Sequence, residues 1–213
     1  MAESVEQIRN RMRGEKLVKA LEQRNIEAWY VTSKEAALKK ALELIPEGSS
    51  VGWGGSVSVD AIGLRSAIKT GNYVAIDRET ANTPEEKNRI THGCLSADWF
   101  LTSTNAISED GILVNIDGNA NRVAALCYGP AHVLYIVGMN KVVRSAEDAY
   151  RRAKFEAAPI NAQRFPIETP CRKTGCCYDC KTPDTICCQI LITRYSKIPG
   201  RAKVILVDDT LGF

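Results

Sequence analysis

IEAWYVTSKEAALKKALELIPEGSSVGWGGS, residues 26–56, decides the fold. IEAWYVT (26–32) is a short apolar run of strand character. SKEAALKKALELI (33–45) opens with a serine cap and a charged first turn, so it reads as a helix, and Pro46 and Gly48 end it. SSVGWGGS (49–56) is a second strand running into glycines. Strand, helix and strand within about thirty residues is the signature of a parallel βαβ unit.

The alternation continues in both directions. Upstream, residues 3–24 place Val5, Ile8, Met12, Leu17 and Leu21 at helical spacing. This helix precedes the first strand, so it is expected to dock on the domain or on a second subunit, which leaves a homo-oligomer open. Downstream, helices are expected over 57–71, 83–97, 120–129 and 145–165. Strands are expected over 72–77, 98–107, 111–117, 132–139 and 203–209. The expected fold class is therefore α/β, with three layers (α/β/α) around a mostly parallel sheet covered on both faces, in a single domain over residues 1–213.

The chain has 213 residues and a formal net charge of +3, with Lys and Arg spread among comparable Asp and Glu. That balance gives no basic stripe, so no nucleic-acid partner is expected. The N-terminus lacks the apolar core of a signal peptide, and no apolar run approaches the roughly 18 residues of a spanning helix. A cytoplasmic protein with no membrane partner is the expectation.

CRKTGCCYDCKTPDTICC, residues 171–188, holds six of the eight cysteines. Clustered thiols in a reducing compartment suit a metal better than disulfides. Cys171, Cys177, Cys180 and Cys187 are spaced C-x5-C-x2-C-x6-C, and the loop is a metal-binding insertion over about 170–190. Four thiolates suit an iron–sulfur cluster or zinc, and spacing does not choose between them. Cys176 and Cys188 each adjoin a proposed ligand and are treated as spares, with a set using Cys176 left open. A loop of free thiols is the plain alternative.

Two further stretches could carry chemistry. Gly52, Gly54, Gly55 and Ser56 lie between a strand and a helix, where backbone N–H groups can face an anion. The same glycines also suit a tight turn. TSTNAISEDGILVNIDGNANRVA (102–124) crowds Asn105, Glu109, Asp110, Asp117, Asn119, Asn121 and Arg122 around two turns. In open α/β sheets ligands bind beyond the C-terminal strand ends, although turns and helix caps also use these residue types. The expected site is a pocket lined by Gly54, Gly55, Ser56, Asn105 and Arg122 that holds a small anion. Trp53 could wall that pocket or cap the core. His92 and His132 are expected to be packed or surface residues, and Cys94 and Cys127, in apolar company, core residues.

TNAISEDGILVNIDGNANRVAALCYGPAHVLYIVGMNKVV (104–143) resembles the LUD domain, the family of lactate utilisation protein C. GWGGS after a strand and the closing CRKTGCCYDCKTPDTICC…GRAKVILVDDTLGF resemble the branch of that family with a cysteine-rich tail. The likeness runs from about residue 15 to 213. It implies the fold of ribose-phosphate isomerase and the CoA transferases, in which the glycine loop and strand ends hold phosphate or acyl groups. It also puts the tail ligands at Cys171, Cys177, Cys180 and Cys187, and the chain departs from the pattern with cysteines at 176 and 188. The resemblance implies an accessory protein or subunit of an iron–sulfur system oxidising L-lactate or another 2-hydroxy acid, with redox partner subunits and a 4Fe–4S cluster, or zinc as the alternative. A second expectation is a stand-alone isomerase- or CoA-transferase-like enzyme with a structural metal, for which Glu109 is the candidate nucleophile. A third is a metal-stapled protein binding a small anion.

Overall fold

The computed structural model describes residues 3–213. Helix α1 (Val5–Glu22) starts at a capping box in which Ser4 and Gln7 satisfy each other's backbone N–H groups. Its Leu17 and Leu21 are buried, and Gly14 lets it lie flat on Tyr30, where a Cβ would stand 2.2 Å from the ring. The N-terminal half leaves Val5 and Met12 exposed.

Six strands form one parallel sheet: β1 (Glu27–Val31), β2 (Ser50–Trp53), β3 (Val74–Ile76), β4 (Trp99–Thr102), β7 (His132–Gly138) and β10 (Ala202–Val207). Their order is β1-β10-β7-β4-β2-β3. β10 is buried along its whole length and β7 nearly so, and both read as near-continuous apolar runs, as strands covered on two faces must. Alternate residues divide between the faces. Val133, Tyr135, Val137, Val204 and Leu206 join Leu17 and Leu21 of α1. Leu134, Ile136, Ile205 and Val207 join Ala37 and Ala41 of α2 (Lys34–Leu44) and Leu64 and Ile68 of α4 (Leu64–Thr70). This is the expected three-layer arrangement.

A second sheet was not foreseen. β5 (Ala106–Ser108), β6 (Leu113–Asp117), β8 (Val142–Val143) and β9 (Gln189–Thr193) run in the order β8-β5-β6-β9. The expected strand 98–107 is in fact two. Between them Thr102 and Ser103 donate their hydroxyls to the next residue's carbonyl, and Thr104 donates to Ala106 and Val114. Such local side-chain bonds draw the chain out of a ladder. β9 follows the cysteine loop and pairs antiparallel with β6, so the loop is anchored to this small sheet before the final strand.

Two expected helices are also divided. Residues 57–71 form α3 (Val57–Ala61) and α4, separated where Gly63 takes a φ of 75°. Residues 145–165 form α7 (Ala146–Arg152), a wider π-type turn (Ala153–Ala157) and α8 (Ala158–Ala162). Pro159 has no N–H to donate one turn back and its ring crowds that carbonyl, and the wide turn relieves both problems. The remaining helices are α5 (Pro84–Gly93), α6 (Asn121–Cys127) and α9 (Pro170–Thr174).

Candidate functional site

A cavity of about 440 Å³ opens beyond the C-terminal ends of β2 and β4. Its floor comes from Gly54, Gly55 and Ser56 after β2 and from Thr102 to Asn105 after β4. One wall is Ile116 to Asn119 with Asn121 and Arg122, and the opposite wall is Asn161 and Arg164 to Ile167 after α8. Such a volume suits a small metabolite.

Most of the expected anion-site residues meet here. Arg122 reaches across to the glycine turn, with its Cδ 3.3 Å from where a Gly54 Cβ would stand. Its guanidinium is held by Asn115 Oδ1 at 2.7 Å, Asn105 Oδ1 at 3.4 Å and the Ile116 carbonyl, with Asp117 at 3.7 Å. Burial pulls the guanidinium below its ordinary value and Asp117 opposes that shift. Arg122 is thus a strut of the wall as well as a charge on it. Asp117 accepts N–H bonds from Asn119 and Val123, which caps α6. Ser56 likewise caps α3, accepting from Val59, and α3 is a single turn of five residues. The expected helix N-terminus is therefore too short to supply much dipole.

Three expected residues lie elsewhere. Gly52 sits within β2, where a Cβ would come 2.8 Å from Cys94 Sγ, so its smallness serves packing. Glu109 and Asp110 lie in the β5–β6 turn, which belongs to the small sheet. There Glu109 pairs with Arg13 at 2.7 Å and Asp110 with Arg24 at 2.8 Å, tying α1 and the residues after it to that turn. Neither lines the cavity. Trp53 is buried in the core on the α2 side of the sheet, and Cys127, expected inside, is exposed.

The most unusual group in the cavity was not legible in the sequence. Lys141, in the turn after β7, is only 3 % exposed. Its Nζ donates to Ser58 Oγ at 2.9 Å and Ser103 Oγ at 3.0 Å, and among the described residues it has no ion-pair partner. Burial, with Arg152 and Arg122 adding like charge, brings the ammonium down to about 7. Arg78 and Arg164 complete a cationic lining, with Arg164 stacked over the Phe165 and Phe213 rings. Asp117 is the single carboxylate side chain on the cavity wall among the described residues.

The cysteine loop forms part of the same cavity. Thr185 and Ile186, between Cys180 and Cys187, line it, and Ile186 Cα lies 3.3 Å from where a Gly118 Cβ would stand. Cys171, Cys177, Cys180 and Cys187 are half-buried, while Cys176 and Cys188 are exposed. Burial pushes the Cys187 thiol up to about 11, and Cys177, Cys171 and Cys180 are the next-largest contributors. The Asp179 N–H donates to Cys177 Sγ at 3.5 Å, a contact that favours a thiolate. The donor set fits a soft cation or an iron–sulfur cluster. Among the described residues no three His, Cys, Asp or Glu side chains converge at ligand distance, so closing a shell requires the loop to contract.

Among the described residues no helix is long and apolar enough to cross a membrane. A comparison with curated proteins finds no match. Among solved structures, the chain is similar to a DUF162 family protein from Deinococcus radiodurans, with a TM-score of 0.52 over 93% of this chain and 98% of that one. At 14% identity the likeness speaks for the fold alone. The LUD domain family matches residues 14–207, which takes in the glycine turn, the cysteine loop and the cavity lining apart from Gly212 and Phe213: the chain belongs to the LUD domain family.

Proposed function

We propose that this LUD domain protein binds a small carboxylate or phosphate anion in the cavity beyond β2 and β4. The observation that carries the reading is the charge imbalance. Arg78, Arg122, Lys141 and Arg164 line the cavity against a single carboxylate side chain, Asp117, among the described residues. A buried ammonium without a counter-charge is costly, and an anionic ligand supplies one. The fitting setting is an accessory protein or subunit of an iron–sulfur system oxidising L-lactate or another 2-hydroxy acid, alongside redox partner subunits. In that setting Cys171, Cys177, Cys180 and Cys187 hold a 4Fe–4S cluster, or zinc in its place. Such a group would supply electron transfer in the first case and a structural tie in the second.

The experiment is thermal melting with L-lactate, pyruvate, phosphate and sulfate in turn. A concentration-dependent rise with at least one of them is expected, since a ligand at about 100 times its Kd adds roughly 2.7 kcal/mol. Lys141→Met should abolish the rise. Melting curves unchanged by all four anions would remove the proposal.

Lys141 also favours a second reading, a stand-alone enzyme of the isomerase and CoA-transferase type. That reading does not run through Glu109, which is engaged by Arg13 outside the cavity.

A further inference from the structure

We propose that Lys141 is a nucleophile that forms an imine with small anions carrying an aldehyde or ketone, such as 2-oxo acids or phosphorylated aldehydes. This rests on the anion-binding reading of the cavity and names the class of compound the cavity takes.

The argument starts from the hydrogen bonds around Nζ. Ser58 Oγ donates its own proton to the Leu211 carbonyl at 3.1 Å and accepts from Lys141. Ser103 Oγ donates to the Thr104 carbonyl at 3.4 Å and likewise accepts from Lys141. Both hydroxyl protons are committed elsewhere, so both oxygens present lone pairs to the amine. A neutral amine has two N–H bonds and one lone pair. The two serines satisfy the two N–H bonds, which leaves the lone pair without a partner on a residue that lines the cavity. A lysine kept for charge alone would be expected beside a carboxylate, and Lys141 has none among the described residues. Burial among Arg122 and Arg152 brings the amine to about 7, so a large share is neutral at physiological pH. This is how proteins activate lysine toward carbonyls.

The cavity supplies the rest of what the step needs. Arg78 and Arg164 can hold the anionic end of the ligand. In the addition, the Nζ lone pair forms a bond to the carbonyl carbon and the C=O π pair takes a proton, giving a carbinolamine. Loss of water then gives the imine. The net change is amine plus carbonyl to imine plus water, and no oxidant or reductant is consumed.

The test is reductive trapping on the full chain. Protein at pH 7.5 is treated with cyanoborohydride and pyruvate, or glycolaldehyde phosphate, and the labelled lysine is mapped by peptide mass analysis. L-lactate, with the same carboxylate but no carbonyl, serves as the control. Labelling of Lys141 more than about tenfold faster than any exposed lysine is expected, with none from lactate. In parallel, melting is followed with pyruvate alone. Lys141→Arg is expected to stay folded and keep a melting rise with pyruvate while losing the adduct at this position. A melting rise in the wild type with label only on exposed lysines would overturn the imine and leave the anion site standing. Neither label at Lys141 nor any melting rise would overturn both.

Discussion

The cavity floor and the cysteine loop are neighbours built on opposite principles. The floor hangs from strands buried on both faces, and its groups are held whether or not a ligand is present. Lys141, Ser58 and Ser103 come from three separate elements and still meet within 3.0 Å. The loop has a five-residue helix, few buried side chains and thiols that do not close on a common point. On the proposal that it holds a metal, its order would depend on that ion, because four thiolates brought together repel one another unless a cation lies between them. A site formed by the core can tolerate an unfavourable charge, whereas four thiols on a loop with few buried side chains have little besides a bound cation to hold them together.

The sharpest way to break that contrast is at the thiols. Anaerobic reconstitution should load the wild type with iron and sulfide, or with zinc. Ser at Cys171, Cys177, Cys180 or Cys187 should abolish loading, whereas Cys176→Ser and Cys188→Ser should retain it. The reverse pattern would show that the ligand set is misassigned. Removing the metal should speed amide exchange through residues 170–188 and leave β7 and β10 protected. Equal deprotection of both regions would end the distinction drawn between them.

A smaller effect is expected at Lys141. Its ordinary value is 10.5 and the fold brings it to about 7. Between those values the unfolded chain carries a proton that the folded chain lacks. The wild type therefore gains stability as pH rises through that window, and below it the cost of the buried charge is fully present. Lys141→Met removes the burden, so the variant should be more stable than the wild type at pH 6, on the order of 3 kcal/mol. The gap should shrink toward pH 10. Denaturant melts at the two pH values check this, and a gap that grows with pH would contradict it.

The smallest expected effect is at Glu109. Its pair with Arg13 is partly solvated, so Glu109→Gln should cost about 1 kcal/mol or less and leave anion-induced melting shifts unchanged. Loss of ligand response in this variant would return Glu109 to the cavity chemistry.

The parts of this molecule that could be read from sequence are those governed by local rules. The βαβ alternation, the Ser33 and Ser145 caps and the burial of 132–138 follow from spacing and residue type. The meeting of the glycine turn with Asn105 and Arg122 followed from placing polar turns at strand ends. Lys141 was invisible because GMNKVV reads as a strand end with a solvated lysine. Its burial depends on Ser58 and Ser103, which lie 83 and 38 residues away. Glu109 reads from sequence as a residue of a polar surface turn, and only the break at Ser103 to Asn105 sends that turn to the small sheet. Residues 189–193 were missed because this edge strand leaves Ile190 and Ile192 exposed, and its few apolar residues follow directly on the cysteines.

β10 lies between β1 and β7, and β1 pairs with no other strand. On a ribosome, the first strand made must therefore wait for the last one. Until Ala202–Val207 emerges, Trp29 and Val31 have no backbone partner, and α1 rests on an unfinished edge. The sheet closes by insertion into its middle, through contacts that span almost the entire chain, which is a slow kind of folding step. A stalled or truncated product missing β10 would present two open strand edges where the finished protein has a continuous sheet, and quality-control factors that recognise unpaired strands would meet it first there.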